Sequence, residues 1–321
     1  MNSILLIAPS FHFYYKSMIS VLKSLGFSVD YFEDEMKIKS TDMIKSKFSK
    51  SYLQMKFNHY FDCQINNRLG KQYDYIILIF GGRYFLPNHI QKLRQAFKKA
   101  KLIYYAWDSI SNFPKIKDFY FLFDSFFSFD PLDCQTYSFT FLPLFYCKTF
   151  IPPQATNDVC SLMTFGRNKS SNIKTVIAAL PENLKISIHL IMENHLVYGY
   201  NKLKNPAIFK GIPKNYISFK PFSREEADNL YSSSSVIIDC PLENQRGLTI
   251  RTFEALAMHR KLITTNTNIC DYSFFSKNNI YVLKKGSKEK IPLLFFKTDF
   301  DNNYCLSSKY SILNFLNQLL K

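Results

Sequence analysis

The chain has 321 residues, 47% of them hydrophobic, enough to fill two cores of ordinary size, which excludes a disordered or fibrous protein. A balance of 41 Lys plus Arg against 25 Asp plus Glu leaves a net charge of +16, which favours nucleic acid, phosphorylated ligands or an anionic membrane face. The 32 Phe and 21 Tyr are spread along the whole chain, apparent strands included, which reads as core and interface and, with no recognisable nucleic-acid motif, argues against a nucleic-acid partner.

The N-terminus MNSILLIAPSFHFYY has no basic segment ahead of its apolar residues and no small-residue cleavage pattern, so SILLIA (3–8) is read as the first core strand and not as a signal peptide. Further strands are expected over 27–32, 73–80 and 101–107, with helices around 16–25, within 42–69, and from Pro87 to near Ala100. The aromatic runs SFFSF and FTFLPLFY are read as short strands or buried connections. This βαβ rhythm predicts a parallel sheet with helices on both faces. No apolar run approaches the roughly 20 residues needed to span a bilayer, so membrane contact is expected to be peripheral. In KIKSTDMIKSKFSKSYLQMKFNHY (37–60) lysines interleave with Ile, Met, Phe, Leu and Tyr. That run is either a basic membrane-facing helix or an ordinary solvated helix packed by its apolar stripe.

Around CKTFIPPQATNDV the pattern breaks into Pro, Gln, Thr and Asn, the best linker signal in the chain. A second βα alternation follows: strands over 160–165, 185–192, 216–220, 236–239 and 261–265, and helices over about 169–180, 224–233 and 249–259. Ile312, Phe315, Leu316, Leu319 and Leu320 fall at helical spacing and require a terminal helix that packs on something. The expected organisation is an α/β fold of two Rossmann-like doubly wound domains facing a central cleft. They cover 1–153 and 154–300, and 301–321 packs back as a C-terminal helix. Seven scattered cysteines with no CxxC pair suggest reduced thiols in a cytosolic setting and no zinc site.

Ligands in such folds bind outside the carboxyl ends of the strands. In TFGRNKSSN, Gly166 allows a tight turn and Arg167 and Lys169 bring charge to a helix start, as ligand residues or as solvated loop cations. In KPFSREEAD, Ser223 and Glu226 have the spacing of a capping box, while Lys220 is open to either reading. In ENQRGLTIRTFEALAMHRKLITTN (243–266), Arg246 and Gly247 precede a helix carrying Arg251 and Glu254. Either Arg251 and Glu254 form a surface ion pair at i,i+3, or they serve a ligand, the arginines clamping a diphosphate and Glu254 accepting hydrogen bonds from a ribose diol.

The stretch YISFKPFSREEADNLYSSSSVIIDCPLENQRGLTIRTFEALAMHRKLITTN resembles the nucleotide-binding half of GT-B glycosyltransferases, particularly bacterial lipopolysaccharide and other surface-polysaccharide transferases and the related spore-maturation-type enzymes. Gly247, Arg251, Phe253, Glu254, Ala255 and Leu256 match the family's pattern over about fifty residues. Retaining members often carry two glutamates separated by seven residues, and here Arg246 stands where the first would be, which leaves the stereochemical outcome open. The resemblance implies Glu254 as a ribose ligand, Arg246 or Arg251 near phosphate, no cofactor and no essential metal, and the sequence has no obvious DxD signature. It also implies that the first domain supplies the acceptor side and, for an inverting reaction, the base. His12 after the first strand and Asp108 after the fourth are the candidates, each equally readable as a half-buried loop histidine and an Asx turn. The resulting expectation is a cytoplasmic glycosyltransferase, peripheral on the inner face of the cytoplasmic membrane, moving a sugar from a nucleotide-sugar donor to a lipid-linked oligosaccharide acceptor in lipopolysaccharide or other surface-glycan biosynthesis. The alternatives are a non-catalytic nucleotide- or phosphate-binding protein of the same fold and a basic RNA binder.

Overall fold

A computed structural model describes residues 2–10, 14–49, 51–147 and 155–321. The chain divides into two compact units, residues 1–143 with 312–321, and residues 144–311.

The first unit contains β1 (Ser3–Ala8), α1 (Tyr14–Ser24), β2 (Ser28–Glu33), α2 (Ser40–Phe48), α3 (Tyr52–Asn66), β3 (Tyr75–Ile79), α4 (Pro87–Ala96), β4 (Lys101–Ala106), β5 (Ser125–Ser128), α5 (Pro131–Tyr137) and β6 (Thr140–Phe141). Its six strands are all parallel, in the order β2-β1-β3-β4-β5-β6. The central strands read as unbroken apolar runs because helices cover both faces: Ile4 to Ile7, Ile76 to Ile79 and Leu102 to Ala106 are fully buried. The helix expected within 42–69 is two helices, since the backbone turns extended at Ser49. Phe57, Phe61 and Ile65 of α3 lie at i, i+4 and i+8 and form the buried stripe. α4 begins with Pro87, where a missing N–H costs nothing, and His89 Nδ1 accepts the Leu86 N–H at 3.0 Å. His89 Nε2 therefore carries the proton and donates to Asn58 Oδ1 at 3.0 Å, while burial holds its pKa down at about 4.

The second unit contains β7 (Asn157–Thr164), α6 (Arg167–Ala179), β8 (Ile186–Ile191), α7 (His195–Lys204), β9 (Ile217–Ser218), α8 (Arg224–Ser232), β10 (Ser234–Asp239), α9 (Ile250–Ala257), β11 (Lys261–Thr264), β12 (Ile280–Val282) and α10 (Leu293–Lys297). Its sheet is again six-stranded and parallel, ordered β12-β11-β10-β7-β8-β9. α5, α7, α10 and β12 are not among the elements expected from sequence.

The division falls at Pro143, ahead of the expected 153. Leu144, Phe145 and Tyr146 are buried in the second unit, where the Tyr146 N–H donates to the Tyr310 carbonyl at 3.0 Å, so this part of the aromatic run is a buried connection, one of the two forms expected of it. Residues 301–311 also belong to the second unit. The returning segment is α11 (Ile312–Leu319), which buries Ile312, Phe315, Leu316 and Leu319 in the first unit, with Phe315 edge-on to Tyr105 at 4.8 Å. No helix among the described residues is long and apolar enough to cross a membrane.

Candidate functional site

In an open parallel sheet the strand order reverses at one point, and the loops leaving the strands there diverge to opposite faces and open a crevice. In the second unit that point lies between β7 and β10. β7 ends at Thr164, and Gly166 caps α6 with no side-chain cap; a Cβ there would meet only open space. The first-turn N–H groups of a 13-residue helix are thus presented at an uncrowded edge with the positive end of its dipole. The loop after β10 is tied to this helix start: the Glu243 N–H donates to the Asn168 carbonyl at 3.1 Å, and Asn172 Nδ2 donates to the Pro241 carbonyl at 3.1 Å.

Two more strand exits close on the same edge. Asn266, beyond β11, donates its Nδ2 to the carbonyls of Arg246 and Gly247, each at 3.1 Å, which fixes the turn that delivers the chain into α9. Beyond β12, Lys285 Nζ lies 3.0 Å from Glu243 Oε2, and the Gly286 N–H donates to Thr175 Oγ1 at 3.4 Å. The structure therefore brings Gly166 and the start of α6 together with the turn of Arg246 and Gly247. Gly247 is buried and Arg246 is exposed. Arg167 opens α6, but its side chain lies outside the described residues.

Arg251 and Glu254 do not pair with each other as an i,i+3 surface bridge. Arg251 Nη1 donates to Asp239 Oδ1 at 2.9 Å and its Nε to the Tyr231 hydroxyl at 3.0 Å. Burial opposes its charge, yet Tyr231 and Asp239 hold the guanidinium above the ordinary arginine range. Asp239 Oδ2 also accepts from Thr249 Oγ1 at 2.5 Å and Thr252 Oγ1 at 3.1 Å, so one carboxylate at the end of β10 fastens the whole first turn of α9. Glu254 instead faces α8, its Oε1 3.1 Å from Arg224 Nη2. Lys220 sits past β9, two strands from β7, with its ammonium 2.6 Å from Glu226 Oε1. Glu226 and Ser223 form the expected capping box: the Glu226 N–H donates to Ser223 Oγ at 3.1 Å and the Ser223 N–H to Glu226 Oε2 at 2.8 Å. Lys220 and Ser223 together hold the Glu226 carboxyl down at about 2.

In the first unit Asp108 follows β4, where its Oδ1 accepts from the Ser109 N–H and Asn112 Nδ2, both at 2.8 Å. Ser109 Oγ donates to Asp130 and the Ile110 N–H to Asp133 Oδ2 at 2.9 Å, which ties this loop to the start of α5. Burial, opposed by the Ile110 N–H and aided by Asp130 and Asp108, pushes the Asp133 carboxyl up to about 6. His12 lies outside the described residues. Sequence reasoning missed Asp34, at the exit of β2. It is 1% exposed, its Oδ2 accepts the Gly81 N–H at 3.0 Å, and its Oδ1 is buried with no hydrogen-bond partner among the described residues. Burial pushes its pKa up to about 8. Gly81 has φ +60, and a Cβ there would come within 3.0 Å of Leu78 Cδ2, so the close approach needs glycine. Asp34 thus lies under the edge where the first sheet's strand order reverses, between β1 and β3. Among the described residues no group of three or more His, Cys, Asp or Glu is placed to hold a metal ion.

No protein-family model matches the chain, and no curated protein matches its sequence. Solved structures do match. HepE of Anabaena, crystallised with UDP-glucose, is 11% identical over 100% of this chain and 98% of that one, with a TM-score of 0.60. Its complex with UDP and glucose gives 0.56 at the same identity and coverage. Sucrose-phosphate synthase from Thermosynechococcus elongatus is 12% identical over 90% of this chain and 87% of that one, with a TM-score of 0.59. These likenesses show the fold: two Rossmann-like domains of the GT-B type, each built on a six-stranded parallel sheet.

Proposed function

We propose that the protein is a nucleotide-sugar-dependent glycosyltransferase that moves a sugar from a nucleoside-diphosphate donor to a lipid-linked saccharide in lipopolysaccharide or other surface-glycan biosynthesis. One observation carries the reading: in the second unit, four strand exits converge on an uncrowded helix start beside an exposed arginine. That combination suits a diphosphate. Gly166, Arg167 and the first turn of α6 receive one phosphate, Arg246 on the Gly247 turn the other, and Glu254 accepts hydrogen bonds from the ribose diol. Arg251 contributes beside the phosphates by holding α9 in place, and Lys220 enters only at the margin. HepE of the same fold is crystallised with UDP-glucose, which makes a UDP-sugar the first donor to test.

In an inverting reaction the acceptor hydroxyl attacks the sugar's anomeric carbon, its proton passes to a base in the first unit, and the nucleoside diphosphate leaves with the electrons of the broken bond. Asp108 and His12 are the proposed bases. The cations and the helix terminus balance the leaving diphosphate, so activity is expected without a divalent metal. On the first unit, exposed Phe48 and Met55 lie in the lysine-rich 37–60 run and support contact with an anionic cytoplasmic membrane face.

Thermal stabilisation by a panel of nucleotide sugars, followed by isotope-labelled sugar transfer and slow donor hydrolysis in EDTA, tests the proposal. Stabilisation and turnover are expected. Stabilisation with neither transfer nor hydrolysis selects the non-catalytic nucleotide-binding protein instead. Turnover lost in EDTA and restored by Mg²⁺ overturns the metal-independent chemistry.

A further inference from the structure

The second unit carries a helix that is amphipathic the wrong way round for folding alone. Asn194 caps α7, its Oδ1 accepting the Val197 N–H at 2.8 Å, and none of the ten residues of the helix is buried. Leu196, Tyr200 and Leu203 fall at i, i+4 and i+7, one continuous stripe, yet Leu196 and Leu203 are 85% and 87% exposed. The opposite side does the packing: Tyr198 meets Phe209 at 5.1 Å and Phe219 at 5.8 Å, and the His195 ring lies 3.8 Å from Phe219. The outward stripe is therefore not a fragment of the core.

Its surroundings are cationic. Lys202 and Lys204 occupy the last turn, and Lys210 and Lys214 follow in the next connection; across 193–214 the one carboxylate is Glu193. Lys202 lies 5.5 Å from the centre of the Tyr198 ring, and Lys204 5.5 Å from that of Tyr200, whose hydroxyl accepts from its Nζ at 3.1 Å. Apolar stems beside aliphatic and aromatic side chains, with ammonium heads at their edge, match the boundary between acyl chains and anionic headgroups. A second copy packed with its α7 parallel would set the same lysines against each other, and the cationic rim complements an anionic surface better than a like-charged one.

We infer that α7 is an interfacial anchor that inserts Leu196, Tyr200 and Leu203 into an anionic lipid surface. The anchor deepens the reading of a lipid-linked acceptor by giving the second unit its own grip on the membrane that bears it. It uses no residue assigned to the donor or to the base.

The test is flotation of the purified full chain on phosphatidylcholine vesicles with and without phosphatidylglycerol, read beside thermal stabilisation by UDP-glucose. The wild type is expected to float with the anionic vesicles and to lose binding at high salt. Leu196→Ser with Leu203→Ser, and separately Lys202→Glu with Lys204→Glu, should each lower the bound fraction at least about tenfold while leaving the UDP-glucose stabilisation as it is in the wild type. Flotation of both double variants at the wild-type level overturns the anchor. So does a concentration-dependent self-association that the leucine variant abolishes, which would make the stripe a contact between copies. Donor binding is read separately, so a failed anchor and a failed transferase give different results.

Discussion

The two sheets end in loops of opposite chemical character. At and past the ends of the first unit's strands come Glu33, the last residue of β2, Asp34 and Glu35 after it, Asp108 after β4, and Asp130 and Asp133 after β5, with Arg83 facing Glu35 at 3.4 Å. Past the strands of the second, cations lead: Lys169, Arg246 and Lys285 come with the loop carboxylates Glu193 after β8 and Glu243, itself paired with Lys285, while Asp239 at the end of β10 is buried under Arg251 and two threonines. An acidic edge accepts hydroxyl groups and protons; a basic edge with a helix start holds phosphate. The same parallel-sheet framework supports both because the chemistry resides in the loops and not in the strands.

The most severe break in this contrast is Arg251→Ala. Asp239 would then be a buried charge without its cation, and removing one partner of a buried pair costs about 3–5 kcal/mol. Chemical denaturation should show the loss, and Arg251→Lys should recover little of it, because one ammonium cannot reach both Asp239 and the Tyr231 hydroxyl as the fork does. Stability unchanged in Arg251→Ala would mean that the guanidinium serves the ligand and not the frame.

Asp34 gives the next effect, and its sign is specific. Its folded pKa stands at about 8, above the carboxylate's ordinary 3.8, so the folded state holds a proton that the unfolded chain has released. Stability contributed by this group is therefore complete below about pH 4 and declines as pH rises toward 8. Asp34→Asn keeps an acceptor for the Gly81 N–H and cannot ionise. Relative to the wild type it should gain on the order of 1–3 kcal/mol at pH 9 and nothing at pH 4, a profile read by denaturation across that range. A parallel shift at every pH would show that burial, and not ionisation, sets the difference.

The donor contacts come third. Glu254→Gln and Arg246→Ala should each weaken UDP-glucose binding by about 1–3 kcal/mol, measured calorimetrically, with the fold intact by circular dichroism. Affinity unchanged in both would return Glu254 to a structural role, beginning with its contact to Arg224.

What was legible in the sequence follows from how local each signal is. β1, β3 and β4 are buried on both faces, so their apolar runs announce them, and the turn of Arg246 and Gly247 is a local event between a strand and a striped helix. The spacing of Arg251 and Glu254 suggested mutual contact because i,i+3 positions are neighbours on a helix. Tertiary partners prevailed: Asp239 and Tyr231 for one, Arg224 for the other. Asp34 was illegible because its partner, Gly81, lies 47 residues away and its burial depends on three strands at once. α7 was missed since its apolar stripe marks an outer surface, where periodicity promises no packing. The expected linker, CKTFIPPQATNDV, lies for the most part outside the described residues, and the change of unit comes ahead of it, after Pro143, where no compositional break announces it, for composition marks where pattern fails and not where packing changes partner.

Lys220 sharpens the contrast at its weakest point. It is a cation at the carboxyl side of the second sheet, as Arg246 is, yet it follows the edge strand β9 while the proposed phosphate site lies at β7 and β10. Its ammonium already faces Glu226, whose carboxyl it helps hold down at about 2, and both side chains are well exposed to water. Exposed pairs of this kind are screened and contribute little. Lys220→Ala should therefore change UDP-glucose affinity by less than about threefold, a fraction of the cost of losing a charged contact to the ligand. The same variant should raise the Glu226 pKa back toward the ordinary carboxylate range, which an NMR titration of the side chain reads directly. A tenfold loss of donor affinity with the Glu226 titration unmoved would extend the basic edge across the whole sheet and bring Lys220 into the site.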